Sequence, residues 1–396
     1  MNDKPSRRTE TVVIGGGIVG TCIAGFLAEA GMAVTVLDAG HAAGSTSNAG
    51  SLHVQMQSRF IRLYPDRVPG LEVQLPLYPL AVRFWADLGT RLGLDFELNL
   101  TGGLMVAETP DQLAFLETKA ARERALGLDV EILGREAVRR LAPYLGPAII
   151  GAELCRNEGK LNPLAANHGL AAWTRRLGVA WRHGVHVTDI ARDGDGYVVH
   201  SAAGPLSCNR VVIAAAWDSG RLAAPFGLVI PSVAEPLNIA ITEAARPLIG
   251  HLVQHADRMI TLKQLAAGQV VIGGGWPARA GAGSAVPGLE LDSLIASATL
   301  GLHVVPALGQ LRIIRCWAGN NTVVDGRGVL GRVAGWPGLA IAIPGDAGYT
   351  LGPLAARMVA DDILGRVPTA DIEDFRPERF NVALLAQAPQ SLARPG

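Results

Sequence analysis

The run Val12-Val13-Ile14-Gly15-Gly16-Gly17-Ile18-Val19-Gly20, with an acid downstream at Asp38, has the residue types and spacing of a dinucleotide site. Gly15 permits a tight turn from strand to helix, Gly17 lets the backbone approach a pyrophosphate, and Gly20 lets the helix pack onto the strand. The first helical amides, from Ile18 and Val19, lack partners within the helix and attract phosphate oxygens. Asp38, followed by Ala39, ends the apolar run Met32-Ala33-Val34-Thr35-Val36-Leu37, where its carboxylate can accept hydrogen bonds from ribose hydroxyls. An acid there disfavours a 2′-phosphate and argues against NADP. The competing reading is a glycine turn without a ligand. Helix, second strand and acid following in order argue against it. A second match, Gly273-Gly274-Gly275-Trp276-Pro277-Ala278, lacks a following amphipathic helix and reads as the end of a strand.

The elements that must position this site fill a chain of 396 residues, 49% hydrophobic, enough for a large core and two or three compact units. Thirty-five basic and 35 acidic residues cancel without a basic run, so nothing in the charge pattern advertises nucleic acid or an anionic membrane. Cys22, Cys155, Cys208 and Cys316 are far apart, which argues against an iron–sulfur cluster, a metal site or a disulfide framework in this chain and fits a reducing cytoplasm. No apolar run reaches the length of a membrane span, so the expectation is a soluble chain, or one held peripherally by a partner. Arg7-Arg8 resembles a twin-arginine signal, but the apolar segment behind it is the first strand of the nucleotide site.

The pattern predicts a strand–helix–strand unit over 10–38 and a long functional loop over 39–80. Helices follow over 80–92, 110–127 (Thr109 as N-cap, Gly127 as stop), 135–141 and 164–177 behind Asn162-Pro163, with a strand at 103–107. Short strands are expected at 185–187 and 197–200, and a buried parallel one at 210–216. Residues 225–311 read as mainly antiparallel strands, among them 237–242 and 259–262, with a helix at 289–302. A buried strand at 339–343 and a helix over 349–364 close the chain. Elements of the nucleotide type therefore flank antiparallel ones. The expected fold is α/β, a Rossmann-like domain of glutathione-reductase type (1–80, 145–225 and 325–396) interleaved with a mainly antiparallel α+β substrate domain (81–144 and 226–324).

The run His41-Ala42-Ala43-Gly44-Ser45-Thr46-Ser47-Asn48-Ala49-Gly50-Ser51 resembles the second signature of the D-amino-acid oxidase, glycine oxidase and sarcosine oxidase superfamily of FAD enzymes. Further matches are Gly159-Lys160-Leu161-Asn162-Pro163, Val187 in a strand, Ala214-Ala215-Ala216-Trp217, Trp317-Ala318-Gly319 with Asp325-Gly326, and 344–353, so the similarity covers nearly the whole chain. The resemblance implies FAD, with contacts from Gly44, Ser45, Ser47, Asn48, Ala49, Gly50, Ser51, Val187, Ala215, Trp217, Gly345, Gly348, Tyr349 and Thr350. Residues 49–55 and 345–353 look most like the flavin-bearing β subunits of heteromeric opine (octopine or nopaline) and D-hydroxyproline dehydrogenases. Such a likeness implies partner subunits carrying an iron–sulfur centre and an FMN at an interface between subunits.

Departures from the pattern bear on substrate. Single-chain relatives continue W-A-G with L-R-P, whose arginine grips a carboxylate; here Asn320-Asn321-Thr322 follows, and Arg315, on the same strand face as Trp317, is a candidate replacement. Asp346 stands where relatives often carry histidine, so no histidine role passes to it.

Oxidation of a C–N bond by flavin requires placement of the α-carbon over the ring and an unprotonated amine. The start of the last helix, behind Gly345 and Gly348 and with Pro353 suited to its first turn, could stabilise negative charge on the ring. His53 either touches ring or substrate and accepts a proton, or is hydrogen-bonded within the fold. Lys263 either faces the ring or the substrate or is a solvated strand lysine; Tyr349 either lines the pocket or packs; Cys316 reads as an inert thiol. The expected function is FAD-dependent dehydrogenation of an opine, secondary amine or D-amino/imino acid within a multi-subunit enzyme. The alternatives are a stand-alone peroxide-producing oxidase of glycine, sarcosine or D-amino acids and a non-catalytic flavin-binding assembly protein.

Overall fold

The computed structural model describes residues 9–40, 44–281, 286–345 and 347–381. Arg7-Arg8, His41 and Asp346 lie outside them. Among the described residues two eight-stranded sheets form the frame. In the first, Thr9–Ile14 lies between Leu206–Ile213 and Val34–Asp38, with Leu339–Ile343 and Ala180–His183 beyond them, all paired in parallel. Val329–Arg332 closes one edge antiparallel, and the hairpin Val187–Asp193/Gly196–Ser201 extends off Leu206–Ile213. Strands covered on both faces require apolar residues on both sides. Accordingly Val13 enters the helical core, whereas Val12 and Ile14 enter the core on the opposite face.

The helix Ile18–Glu29 packs on the first sheet beside Pro163–Arg176 and Gly348–Ile363. Close approach rests on glycine: a Cβ on Gly25 would fall 2.1 Å from the Trp173 ring, and one on Gly352 would fall 2.9 Å from Ile18. Asn162 caps Pro163–Arg176 by accepting from Leu164 and Ala165 N–H. Thr109 and Gln112 form the capping box of Pro110–Ala125, and Gly127, at φ +90°, follows its end.

The second sheet runs in the order Ile313–Val323, Val233–Ala244, Gln269–Gly273, Thr261–Gln264, Leu252–His255, Gly103–Ala107, Gly151–Cys155, Val130–Gly134, antiparallel except where Leu252–His255 meets Gly103–Ala107. Alternation divides its faces. Val253, Leu262, Ala152 and Leu154 enter the apolar core shared with Leu300 and Val304 of the helix Leu291–Val304, while Gln254, Lys263 and Glu153 between them carry polar groups to the other face.

Several sequence expectations need correction. Residues 39–80 are not a long loop: beyond the short pair Ser51–Leu52/Gly159–Lys160 they contain the helices Ser58–Leu63 and Val68–Gln74 and the start of Leu77–Leu92, which buries Tyr78, Ala81 and Trp85 in the helical core. The prolines there sit at helix starts, where a missing N–H costs nothing. The strand expected over 210–216 stops at Ile213, because Ala214–Ala216 turn away and Ala216 takes φ +55°. The strand expected at 185–187 begins at Val187 and runs on to Asp193. Gly151–Cys155, placed by sequence in the cofactor domain, pairs within the second sheet, and Leu77–Leu92, placed largely in the substrate domain, packs on Gly348–Ile363.

Pro353 lies not in the first turn but inside Gly348–Ile363, where it offers no N–H to the Tyr349 carbonyl one turn earlier. The indole N–H of fully buried Trp85 donates to that oxygen at 3.2 Å and to the Thr350 oxygen at 3.1 Å. Trp85→Phe removes this donor and leaves part of the indole's space empty. It is expected to lower stability by at least about 1–3 kcal/mol, the cost of leaving a buried carbonyl unpaired, with the lost packing added, measured by urea unfolding.

Candidate active site

A cavity of about 730 Å³ opens between the two sheets and extends from Gly15, Gly16 and Gly17 to Ile260, Thr261 and Lys263. That volume falls within the ~300–1,000 Å³ of ordinary cofactor and ligand sites. At the first sheet, Gly15 turns at φ +107°, and a Cβ there would meet the Ala214 oxygen at 2.2 Å. A Cβ on Gly20 would meet the Gly15 oxygen at 1.9 Å, so Gly20 serves helix–strand contact and does not line the cavity. At Gly17 a Cβ would point toward Ser45 Oγ, 3.1 Å away. Ile18 N–H donates to Ser45 Oγ at 2.8 Å, and Gly16 N–H donates to Asp38 Oδ1 at 3.3 Å. Ile18, Val19, Asp38 and Ala39 complete this end.

The loop carrying Gly44, Ser45, Ser47, Asn48, Ala49 and Ser51 forms one wall. Trp317 donates its indole N–H to the Ser47 oxygen at 2.9 Å, and Asn167 donates to the Ser45 oxygen at 2.8 Å. A Cβ on Gly319 would lie 2.3 Å from Ser47 Cβ, so Trp317-Ala318-Gly319 is the seat of that loop. Gly50 does not line the cavity; at φ +79° it passes close under the Leu161 oxygen and lets the loop turn into Ser51–Leu52. Val187, Ala215 and Trp217 face the cavity from one side, and Gly345, Gly348, Tyr349 and Thr350 from the other. Ala216 and Ala347, two of the three non-glycine residues at positive φ among the described residues, lie here as well, backbone strain of the kind that gathers at functional sites. Thr350 Oγ1, at the start of Gly348–Ile363, is buried without a partner. The glycines Gly273, Gly274 and Gly275 end their strand as expected, and they also line the cavity.

At the second sheet Lys263 is fully buried, and its Nζ donates to Ser51 Oγ at 2.7 Å. Burial, and then Lys160, hold its pKa well below the ordinary lysine value. Lys160, opposite Ser51 in the short strand pair, donates to the Gly250 oxygen at 2.8 Å, and burial lowers it to about 8. His53 lines the cavity, with Nδ1 buried and unpartnered. Burial and Lys263 push its imidazole down to about 3, so it is a neutral hydrogen-bonding group and a poor proton acceptor.

Two other expectations change. The Tyr349 ring lines the cavity and stacks on Trp85 with centroids 5.5 Å apart, but its hydroxyl donates away, to Asn167 Oδ1 at 2.9 Å, and burial raises its pKa. Arg315 shares a face with Trp317 and sits 5.8 Å over its ring, yet it is exposed and outside the cavity, so it clamps no substrate there. Asn320, Asn321 and Thr322 do reach the cavity and present amides and a hydroxyl.

Sequence reasoning missed the segment 54–57, which lines the cavity, and the buried groups that hold it. Glu158 accepts from the N–H groups of Val54 (2.8 Å) and Gln55 (3.2 Å), and Glu123 accepts from Met56 N–H at 2.6 Å. Ser58 Oγ donates to the Ala256 oxygen at 2.6 Å, and the Gln57 amide donates to Gln254. Neither acid belongs to a spacing pattern, and only tertiary structure brings them to this segment. Arg59, Arg67 and Arg258, on elements read as loop or unassigned, add charge at the second-sheet end.

Residues 10–362 match the model of the DAO family, FAD dependent oxidoreductase. The chain belongs to that family. It is 25% identical over 377 residues to the B subunit of opine oxidase from Rhizobium meliloti, covering 94% of this chain and 98% of the relative. It is also 25% identical to the beta subunit of sarcosine oxidase from Rhizobium meliloti (strain 1021), covering 99% and 93%. The fold superposes on glycine oxidase from Geobacillus kaustophilus with a TM-score of 0.80 at 23% identity, covering 94% of this chain and 99% of that one.

FAD, the family's cofactor, fits the residues present. The open backbone at Gly17, the amides around Ile18 and the acid at Asp38 suit an ADP moiety, and the unpartnered Thr350 Oγ1 at a helix start suits a polar ring edge. Gly17→Val fills the space a pyrophosphate needs. The variant is expected to purify colourless with an unchanged far-UV circular dichroism spectrum; a yellow variant with stoichiometric FAD would contradict the assignment. Among the described residues no cluster of His, Cys, Asp or Glu is arranged to hold a metal, and no helix is long and apolar enough to cross a membrane.

Proposed function

We propose that this chain dehydrogenates a C–N bond in an opine, secondary amine or D-amino/imino acid, as the catalytic β subunit of a multi-subunit dehydrogenase. The observation that carries the reading is the cavity's second-sheet end, where Lys263 faces inward fully buried and without an acid partner, with Arg59, Arg67 and Arg258 around the same end. Arg258 is paired with Glu108, so the positive charge of Arg59 and Arg67 is what favours a carboxylate and disfavours an ammonium, and a bound amine is held in the unprotonated form whose α-carbon gives up a hydride. FAD supplies the two-electron acceptor for that hydride.

The chain's own groups do the rest. Lys263, its pKa lowered by burial, holds or takes the amine proton at Nζ, with Ser51 Oγ fixing its direction. His53 contributes a neutral ring at the same wall. The amides of Asn320 and Asn321 supply hydrogen bonds in place of an arginine clamp. The two sheets shield the reacting carbon from water.

The multi-subunit part of the proposal is supported by relatives named as subunits that match along nearly their whole length. The four cysteines are dispersed along the chain, so an iron–sulfur centre would belong to a companion chain, with an FMN at the interface between the two.

Anaerobic mixing of FAD-loaded protein with a panel of opines, N-methyl and D-amino acids should bleach the flavin absorbance with at least one of them. Lys263→Met should slow that bleaching by about 10²-fold. Slow reoxidation by air of the isolated reduced chain is expected. Rapid reoxidation would favour a self-contained oxidase, and no bleaching by any amine would favour a non-catalytic flavoprotein.

A further inference from the structure

Three consecutive backbone N–H groups, from Val54, Gln55 and Met56, point at buried carboxylates and not at strand partners. Glu158, on the turn between Gly151–Cys155 and Gly159–Lys160, is 0% exposed and accepts two of them. Its second oxygen accepts from the Gln55 side chain at 2.8 Å and from Gln254 at 3.0 Å. Every partner of Glu158 is thus a donor, the arrangement that suits an ionised carboxylate. The space it occupies is provided by Gly103, where a Cβ would fall 1.7 Å from Glu158 Oε2.

We propose that ionised Glu158 is a positioning residue, holding residues 54–56 against the cavity so that losing its charge releases the wall on which substrate and ring rest. The proposal builds on the amine-oxidising reading but concerns the wall itself. A proton on Glu158 needs an acceptor, and the donors around it offer none. Gln55 Oε1 is buried without a partner, so the proton is accommodated by turning the Gln55 amide over, which exchanges a bond to a charged acceptor for a weaker neutral O–H···O one and leaves the Val54 and Gln55 N–H groups on an uncharged oxygen.

The charged and titratable groups around this site come from each neighbouring element. Lys119 and Glu123 lie on Pro110–Ala125, Glu153 and Cys155 on Gly151–Cys155, and Lys160 on the short strand. Lys119 bridges Glu123 and Glu153 at 2.8 and 2.9 Å, so Glu123 has a cation of its own. Glu158 has no ion-pair partner within reach among the described residues. Burial raises it to about 7, and the hydrogen bonds from Val54 and Gln55 offset only part of that rise. The carboxylate therefore gains its proton as pH falls through neutrality, and the wall loosens on the acid side.

Hydrogen–deuterium exchange on FAD-loaded protein, with mass-spectrometric readout of peptides spanning 54–56 and correction for intrinsic rates, tests this without any substrate. Wild-type protection is expected to fall on the acid side of neutrality. Glu158→Gln should exchange at least about ten-fold faster on the alkaline side, equivalent to about 1.4 kcal/mol, and lose the pH dependence. Gly103→Ala, which keeps every ionisable group but displaces Glu158, should loosen the same peptides. Unchanged protection in Glu158→Gln, or in Gly103→Ala should Glu158→Gln fail to fold, overturns the proposal. So does a loss of protection spread evenly over the chain. Bleaching by amines, measured separately, reads the amine-oxidising function, so the two can fail independently.

Discussion

Every polar backbone group in a dry interior must find a partner, and in this protein that requirement governs the cavity wall. Residues 54–57 cross between two sheets without joining either as a strand, so their N–H groups cannot be satisfied by a ladder. Glu158, Glu123 and the polar face of the second sheet supply acceptors instead. The same rule acts at Pro353, where a tryptophan indole supplies the donor that proline lacks. Both solutions join the first sheet's helices or loops to distant elements, and both border the cavity.

Charge is distributed along that cavity in a way that matches the chemistry of an FAD-dependent oxidoreductase. Its nucleotide end is built from glycine amides and one aspartate, which suit phosphate and ribose. Its far end gathers lysine and arginine side chains from four separate segments, with the pKa of Lys263 lowered by burial. Burial lowers the proton affinity of Lys263, while the arginines of the same end keep their charge, so one wall can both attract a carboxylate and exchange a proton.

The strand–turn–helix over 9–29, the caps at Thr109 and Asn162 and the buried strand at 339–343 were legible because each depends on residues within a few positions of one another. The helices within 58–74 were not, because prolines and breakers obscured their short apolar faces, and their stability comes from packing Ile61, Val68 and Leu71 into the helical core. Arg315 illustrates the limit of periodicity. Alternation correctly placed it on the face of Trp317, but the strand bearing it extends past the cavity before reaching that residue's level. Tyr349 was correctly placed at the cavity, but the direction of its hydroxyl depended on Asn167, 182 positions away.

Local spacing by itself determined that a dinucleotide would lie across the first crossover, since a glycine turn, a helix start and an acid are set by neighbouring residues and the fixed geometry of strand and helix. Only the tertiary structure decided what lines the far end of the cavity and what stands behind it. Lys263, His53 and Glu158 acquire their protonation from burial and from partners far along the chain, and neither is encoded in the identity of the residues beside them.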